Sequence, residues 1–176
     1  MNLKNLLKIC ADMKELKRQG WIYRDIPHPE NDAAHSWSVS FLVQMFAPQE
    51  LDLCKCLKMA NIHDLAETII GDFTPIDPIS PEEKHTREVM AMQQIVAELP
   101  PENDVLALFQ EYEAMVTPEA LFVKGIDKLD AVMQAKFYDQ KFHKKGKLFE
   151  EFYDYALTQV QHPVVLDLLK QLKEFS

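Results

Sequence analysis

Apolar residues along this chain recur mostly at three- to four-residue spacing, and alternating apolar and polar runs are scarce, so the pattern predicts helices and almost no strand. Eight helices are expected, over residues 3–19, 31–46, 49–70, 81–98, 102–116, 118–144, 147–160 and 163–174. Pro48, Pro81, Pro118 and Pro163 fall at or near helix starts, where a missing amide hydrogen is harmless, and Gly20, Gly71 and Gly146 fall near ends. Asp32, Ser80 and Thr117 are the expected N-caps, with Glu83 completing a capping box on Ser80. Two stretches resist helix, 21–31 (Pro27, Pro29) and 71–80 (Pro75, Pro78), and these are the candidate active-site loops. With no repeat, linker or composition shift, the 176 residues predict one all-α domain spanning 1–176.

The helical stripes carry unusual polar residues. His35 recurs with Val39, Leu42 and Phe46 on one face, and Leu53, Cys56, Ala60, His63, Glu67 and Ile70 share another. A lone histidine on an apolar stripe is more often a satisfied core residue than a ligand, but here several such residues coincide. Asp127 lies among Val123, Ile126 and Ala131, and a buried carboxylate is costly unless paired or metal-bound. Pairing with Lys124 or Lys128 on a solvated face is its plain alternative. Neighbouring helix residues point about 100° apart, so His63 and Asp64 share an ion only if it lies beside their helix, with His35 and Asp127 supplying ligands from facing helices. Two imidazoles and two carboxylates suit one divalent metal with open positions, and leave Mn, Co, Fe, Zn and Mg as candidates.

Charge narrows the ligand. With 28 acidic against 19 basic residues the net charge is -9, which argues against nucleic-acid binding and favours a small molecule. Three cysteines, Cys10, Cys54 and Cys56, make an odd number, and no basic-then-apolar leader is visible, so reduced thiols and a cytoplasmic location are expected. Cys54 and Cys56 lie about 200° apart on a helix and cannot hold a metal alone. No apolar run approaches the roughly 20 residues that span a bilayer, so no membrane partner is expected.

An ordered set of motifs extends over nearly the whole chain: Lys17-Arg18-Gln19-Gly20-Trp21 with Tyr23-Arg24, Pro29-Glu30 before His35-Ser36-Trp37, His63-Asp64-Leu65-Ala66-Glu67, Gly71-Asp72-Phe73-Thr74-Pro75, Glu82-Glu83-Lys84-His85 and Lys124-Gly125-Ile126-Asp127. By these the chain resembles the HD-domain metal-dependent phosphohydrolases, and most of all their 5′-deoxynucleotidases. The resemblance implies an HD-domain helical bundle with its metal-site core at about 31–130, a homodimer, and a nucleoside 5′-monophosphate as substrate. It implies His35, His63, Asp64 and Asp127 as metal ligands and Glu67 as acid/base, with Asp72 next in line. Glu67, Asp72 and the Phe73 carbonyl are the implied holders of a second cation.

Hydrolysis of a phosphate monoester also needs cations facing the metal, and Arg18 and Arg24, which flank the first loop, are the candidates, with Lys84 third. Surface solvation is the alternative for each. Trp21 and Trp37 are candidates to border a sugar or base, or to be core. The family commonly carries an acidic residue just before the first ligand histidine, an arginine three residues after it, and an arginine before the Pro-Glu of the first loop. Here those positions hold Ala34, Ser38 and His28. Two rival readings keep the metal: hydrolysis of another phosphoester, such as a cyclic nucleotide or nucleoside triphosphate, and a metal-stabilised binding protein without turnover.

Overall fold

The clasp that shapes the N-terminal part is a single antiparallel bridge between Lys17 and Asn31, seen in the computed structural model, which describes residues 3–100 and 102–175. Apart from it, the regular elements of the described residues are helices: α1 (Leu3–Glu15), α2 (Gln19–Ile22), α3 (Asp32–Phe46), α4 (Leu53–Ile62), α5 (Glu67–Ile70), α6 (Pro81–Ala97), α7 (Val105–Ala114), α8 (Pro118–Phe142), α9 (Lys147–Gln159) and α10 (Pro163–Glu174). By internal packing they form two units, one of the chain up to Trp37 with Ile62–Gln110, the other of Ser38–Asn61 with the chain from Glu111 on. Among the described residues no helix is long and apolar enough to cross a membrane.

In the first unit α5 packs against α1 and α6. Its core is Ala66, Ala91, Met92, Ile95 and Phe109, with Ile62, Leu65, Ile70 and Val105 among the half-buried residues against it. Burying a Met or Phe side chain contributes about 1.5–3 kcal/mol, so this cluster is what anchors the short α5. α1 stops at Glu15, short of residue 19, because the chain leaves it for the clasp: Arg18 N donates to Glu30 O at 3.2 Å and Asp32 N to Leu16 O at 3.0 Å. The clasp closes the Pro27/Pro29 loop, and α2 straddles the start of the stretch expected to be irregular, taking in residues 21 and 22.

Three starts show which residue caps. Asn31, rather than Asp32, caps α3, its Oδ1 accepting from Ala34 N at 2.9 Å. Ser80 caps α6 as expected, accepting from Glu83 N at 3.1 Å, while the Glu83 carboxylate turns to Arg87 instead of back to Ser80. Thr117 caps α8, accepting from Ala120 N at 3.3 Å, with Pro118 at the first position.

The expected helix over 49–70 is broken twice. Its start retreats to Leu53, where Asp52 Oδ1 accepts from Lys55 N at 3.0 Å. It then stops at Ile62, and residues 63–66 form a turn before α5. Here the backbone tightens to three-residue spacing: Leu65 N donates to Ile62 O at 3.1 Å, Glu67 N to Asp64 O at 3.0 Å and Ile69 N to Ala66 O at 3.0 Å. The His63-Asp64 doublet therefore lies in a turn, not within a helix.

The second unit is built on α8, against which α9 and α10 pack. Phe122, Val123, Ile126, Leu129, Val132, Ala135 and Tyr138 are all buried, on more than one side of the helix, as expected for a central helix. A Cβ on Gly125 would lie 3.1 Å from Val165 Cγ2, so the glycine allows α10 its close approach. Asp139 reaches from α8 to the start of α9, accepting from Leu148 N at 3.3 Å and Phe149 N at 2.7 Å.

Candidate metal centre

In the first unit His35 is buried in the first turn of α3; of the rest of its expected stripe, Val39 and Leu42 are buried and Phe46 is exposed. His63 opens the turn after α4. Both imidazoles are buried, with Nε2 of each 3.3 Å from the other. Asp64 Oδ2 lies 3.2 Å from His63 Nε2 and 3.6 Å from His35 Nε2. Ligand atoms that each sit about 2.0–2.2 Å from one ion are spaced roughly 3 to 3.5 Å apart, so this triangle has the dimensions of three ligands to a divalent metal. The turn makes it possible. Consecutive residues on a straight helix would diverge by about 100°, whereas here His63 and Asp64 meet.

Arg18, brought in by the clasp, places Nη1 2.8 Å from Asp64 Oδ2 and 3.3 Å from Asp32 Oδ1. Asp32 is fully buried at the start of α3, while Ala34 is exposed. The buried carboxylate of this segment thus sits three residues before His35. Sequence reasoning assigned Asp32 to capping; its i, i+3 relation to His35 was the signal that it faces the site.

Glu67 is buried at the first position of α5, and its carboxylate gathers with those of Asp32 and Asp64, their ligand atoms within 4.8 Å of one another. Burial, then the charges of Asp64, Asp72 and Asp32, push the Glu67 carboxyl well above its ordinary range. Burial and the Asp64 charge push Asp32 up to about 7 against the pull of Arg18. Asp64 moves the other way: burial opposes ionisation, but His63, Arg18 and His35 together hold its carboxyl well below the usual range. Such a cluster is short of positive charge, and these donors fit a divalent cation.

The remaining expected residues divide. Asp72 stands beside the cluster, its Oδ2 accepting from Gln19 N at 2.6 Å. Lys84 pairs with Glu88 at 2.9 Å and feels the charges of Glu67 and Asp64. Arg24 is half-buried and donates from Nη1 to Gly20 O at 2.6 Å. Trp21 is buried, its Nε1 donating to Glu30 Oε1 at 2.8 Å, so it braces the first loop; Trp37 is exposed. Phe73 is half-buried. Asp127 belongs to the second unit, where it is buried on α8 and accepts from Lys128 Nζ at 2.9 Å and Tyr112 Oη at 3.3 Å. Ser38 Oγ donates to Asp130 Oδ1, and His28 is exposed at φ 55°.

The HD-domain family model matches residues 10–165. The chain belongs to the HD-domain family. It is 34% identical to the human 5′-deoxynucleotidase HDDC2 over 98% of this chain and 85% of that protein. The zebrafish (Danio rerio) protein of the same name is 37% identical over 98% and 87%. Among solved structures, the PH0347 protein of Pyrococcus horikoshii superposes with a TM-score of 0.82 at 28% identity, covering 99% of this HD-domain chain and all of that one.

Proposed function

We propose that this HD-domain protein is a metal-dependent 5′-deoxynucleotidase that hydrolyses deoxyribonucleoside 5′-monophosphates to nucleoside and phosphate. The observation that carries the reading is the triangle of His35 Nε2, His63 Nε2 and Asp64 Oδ2 with Arg18 set against it. The likeness over nearly the full chain to proteins named 5′-deoxynucleotidase supports the substrate class.

His35, His63 and Asp64 would hold the ion, and the family pattern, together with the burial of its carboxylate, adds Asp127 as fourth ligand. A divalent metal there supplies an activated water and neutralises phosphoryl oxygens. The chain's own residues do the rest. Arg18 can turn from its carboxylates to bind a phosphate oxygen, with Arg24 and Lys84 adding positive charge. Glu67 accepts the proton of the attacking water and returns one to the departing 5′ oxygen, with Asp72 beside it. Trp21 positions this machinery by fixing the loop that carries Arg18 and Arg24.

The test is phosphate release from a panel of ribo- and deoxyribonucleoside monophosphates with Mn, Co, Mg, Fe and Zn in turn. Turnover of 5′-monophosphates that is lost in Asp64→Ala is expected. Activity confined to cyclic nucleotides or triphosphates would replace the substrate, and no turnover with any metal would leave a binding protein.

The protein is further proposed to be a cytoplasmic homodimer. By its aromatic content the C-terminal half is one candidate for the contact, but Tyr138, Phe149 and Tyr153 are buried, Phe142 and Phe152 are half-buried, and Phe137 and Tyr155 alone of these are exposed. Support for the dimer comes instead from α3, where Trp37, Phe41 and Met45 are 69%, 48% and 53% exposed.

A further inference from the structure

We propose that the turn between α8 and α9 holds a binding site for the diphosphate group of a small molecule, in a cleft with Lys136, His143 and Lys145 on its lining. All of its residues belong to the second unit, so the proposal does not draw on the reading of the metal centre.

Charge singles out this segment. Over residues 136–147 the chain carries Lys136, Lys141, Lys144, Lys145 and Lys147 against one acid, Asp139, although the whole chain has a net charge of -9. A basic run is more often a solvated face than a site, but this one folds around a cleft of about 490 Å³. That volume falls in the range of small-molecule sites. Lys136, His143 and Lys145 line it together with Asp139, Glu150 and Phe149.

Both carboxylates of the lining are engaged elsewhere. Asp139 accepts from the Leu148 and Phe149 amides at 3.3 and 2.7 Å, and Glu150 Oε2 lies 3.4 Å from Lys173 Nζ. Among the described residues no carboxylate pairs with His143 or Lys145. Lys136 lies over the Phe149 ring, 4.9 Å from its centroid, and Nζ donates to Leu172 O at 2.8 Å. These contacts hold its ammonium in place, and an ammonium has two further hydrogens to donate.

The backbone adds donors. His143, Lys145 and Gly146 take φ of 54°, 59° and 77°, a region that residues other than glycine enter at a cost. With Leu148 N and Phe149 N taken by Asp139, the amides of Lys145 and Gly146 have no backbone acceptor among the described residues. Successive amides in such a turn make a concavity suited to an anion. Lysines bind phosphate as point charges, and two of them with an imidazole and two amides offer more donors than the two oxygens of a carboxylate can use. A diphosphate has the oxygens and the charge to match them. The lysines at 141, 144 and 147 add to the attractive field.

The experiment titrates the full chain, labelled with ¹⁵N-glycine, with inorganic pyrophosphate. Glycine occurs only at 20, 71, 125 and 146, so four amide signals report by residue. The Gly146 signal is expected to move saturably, while Gly125, packed against Val165 on α10, stays in place. Lys145→Gln should weaken this binding about tenfold, the loss of one charge-assisted hydrogen bond. Glu150→Gln removes a negative charge from the lining and should tighten it about two- to fivefold, a gain that a merely loosened turn would not give. A Gly146 signal unmoved at millimolar pyrophosphate would overturn the site, whether or not Gly20 and Gly71, which belong to the first unit, respond. So would an equal movement in sodium chloride of matched ionic strength, which would make the shift one of screening, or unaltered affinity in both variants. The wild-type titration and its salt control decide even if a variant fails to fold.

Discussion

Glu67, unlike Asp64 and Asp32, makes no ion pair with Arg18. Asp64 and Asp32 both meet Arg18, whereas burial and three neighbouring negative charges bear on Glu67. That environment suits a group that carries a proton rather than a fixed charge. Glu67→Gln should therefore slow phosphate release by about 10² or more, the usual scale for a positioned acid/base, while the histidine-held ion stays bound. Steady-state kinetics alongside metal analysis checks both halves, and unchanged kinetics would transfer the role to Asp72. A second residue-level expectation concerns thiols. Cys10 and Cys54 are exposed, but Cys56 is fully buried and its thiol is pushed up to about 12 by burial and by the charges of Glu119 and Asp52. A thiol with so high a pKa stays protonated at ordinary pH and is a poor nucleophile. Iodoacetamide at pH 8 should label two cysteines quickly and the third only after denaturation; three fast labels in the native protein would contradict this burial.

At the scale of elements, the short carboxylate of Asp139 does the work of a helix cap from a different helix. Two amides at the start of α9 depend on it, and Gly146 before them has no side chain to substitute. Asp139→Ala should cost about 1–3 kcal/mol, the range for losing a cap and orphaning buried donors, and Asp139→Asn less, since it keeps one acceptor. Urea denaturation measures both, and equal stability of Asp139→Ala and wild type would remove the cap from the account. Sequence periodicity could not see such a contact, because it links residues ten apart across a turn. It did reveal α3, α6, α8, α9 and α10, with Pro81, Pro118 and Pro163 marking the starts of α6, α8 and α10. His35 was legible as a polar residue on a buried stripe. The turn at 63–66 was not, because Asn61-Ile62-His63-Asp64-Leu65-Ala66 contains neither Gly nor Pro, and helix geometry there yields to tighter three-residue bonds that let His63 and Asp64 converge. Asp32 was misread for a related reason: Asn31 and Asp32 are both good caps, and only the clasp at Lys17 decides that Asn31 caps while Asp32 turns inward.

For the whole molecule, the chain crosses between its two units three times, so neither is an uninterrupted segment. One cooperative domain is the proposal, and it requires circular dichroism and tryptophan fluorescence to report the same urea midpoint. Association is argued from α3. Trp37, Phe41 and Met45 recur at i, i+4 and i+8, a spacing that sets them along one face of a helix, and all three are substantially exposed. Monomeric proteins seldom leave a contiguous apolar stripe in water, and a two-fold pairing of identical helices would cover both copies with one contact. A stable interface buries about 800 Å² per partner, more than three side chains provide, so flanking residues must join the stripe at its centre. Phe41→Asp places a charge in the middle of that face, where desolvation in the dimer has no compensating partner. Light scattering at micromolar concentration should give the mass of two 20.4 kDa chains for the wild type and of one for Phe41→Asp, with helicity unchanged. A monomeric wild type would refute the dimer, while a dimeric Phe41→Asp that comes apart only on Phe137→Asp would move the contact to the exposed part of α8.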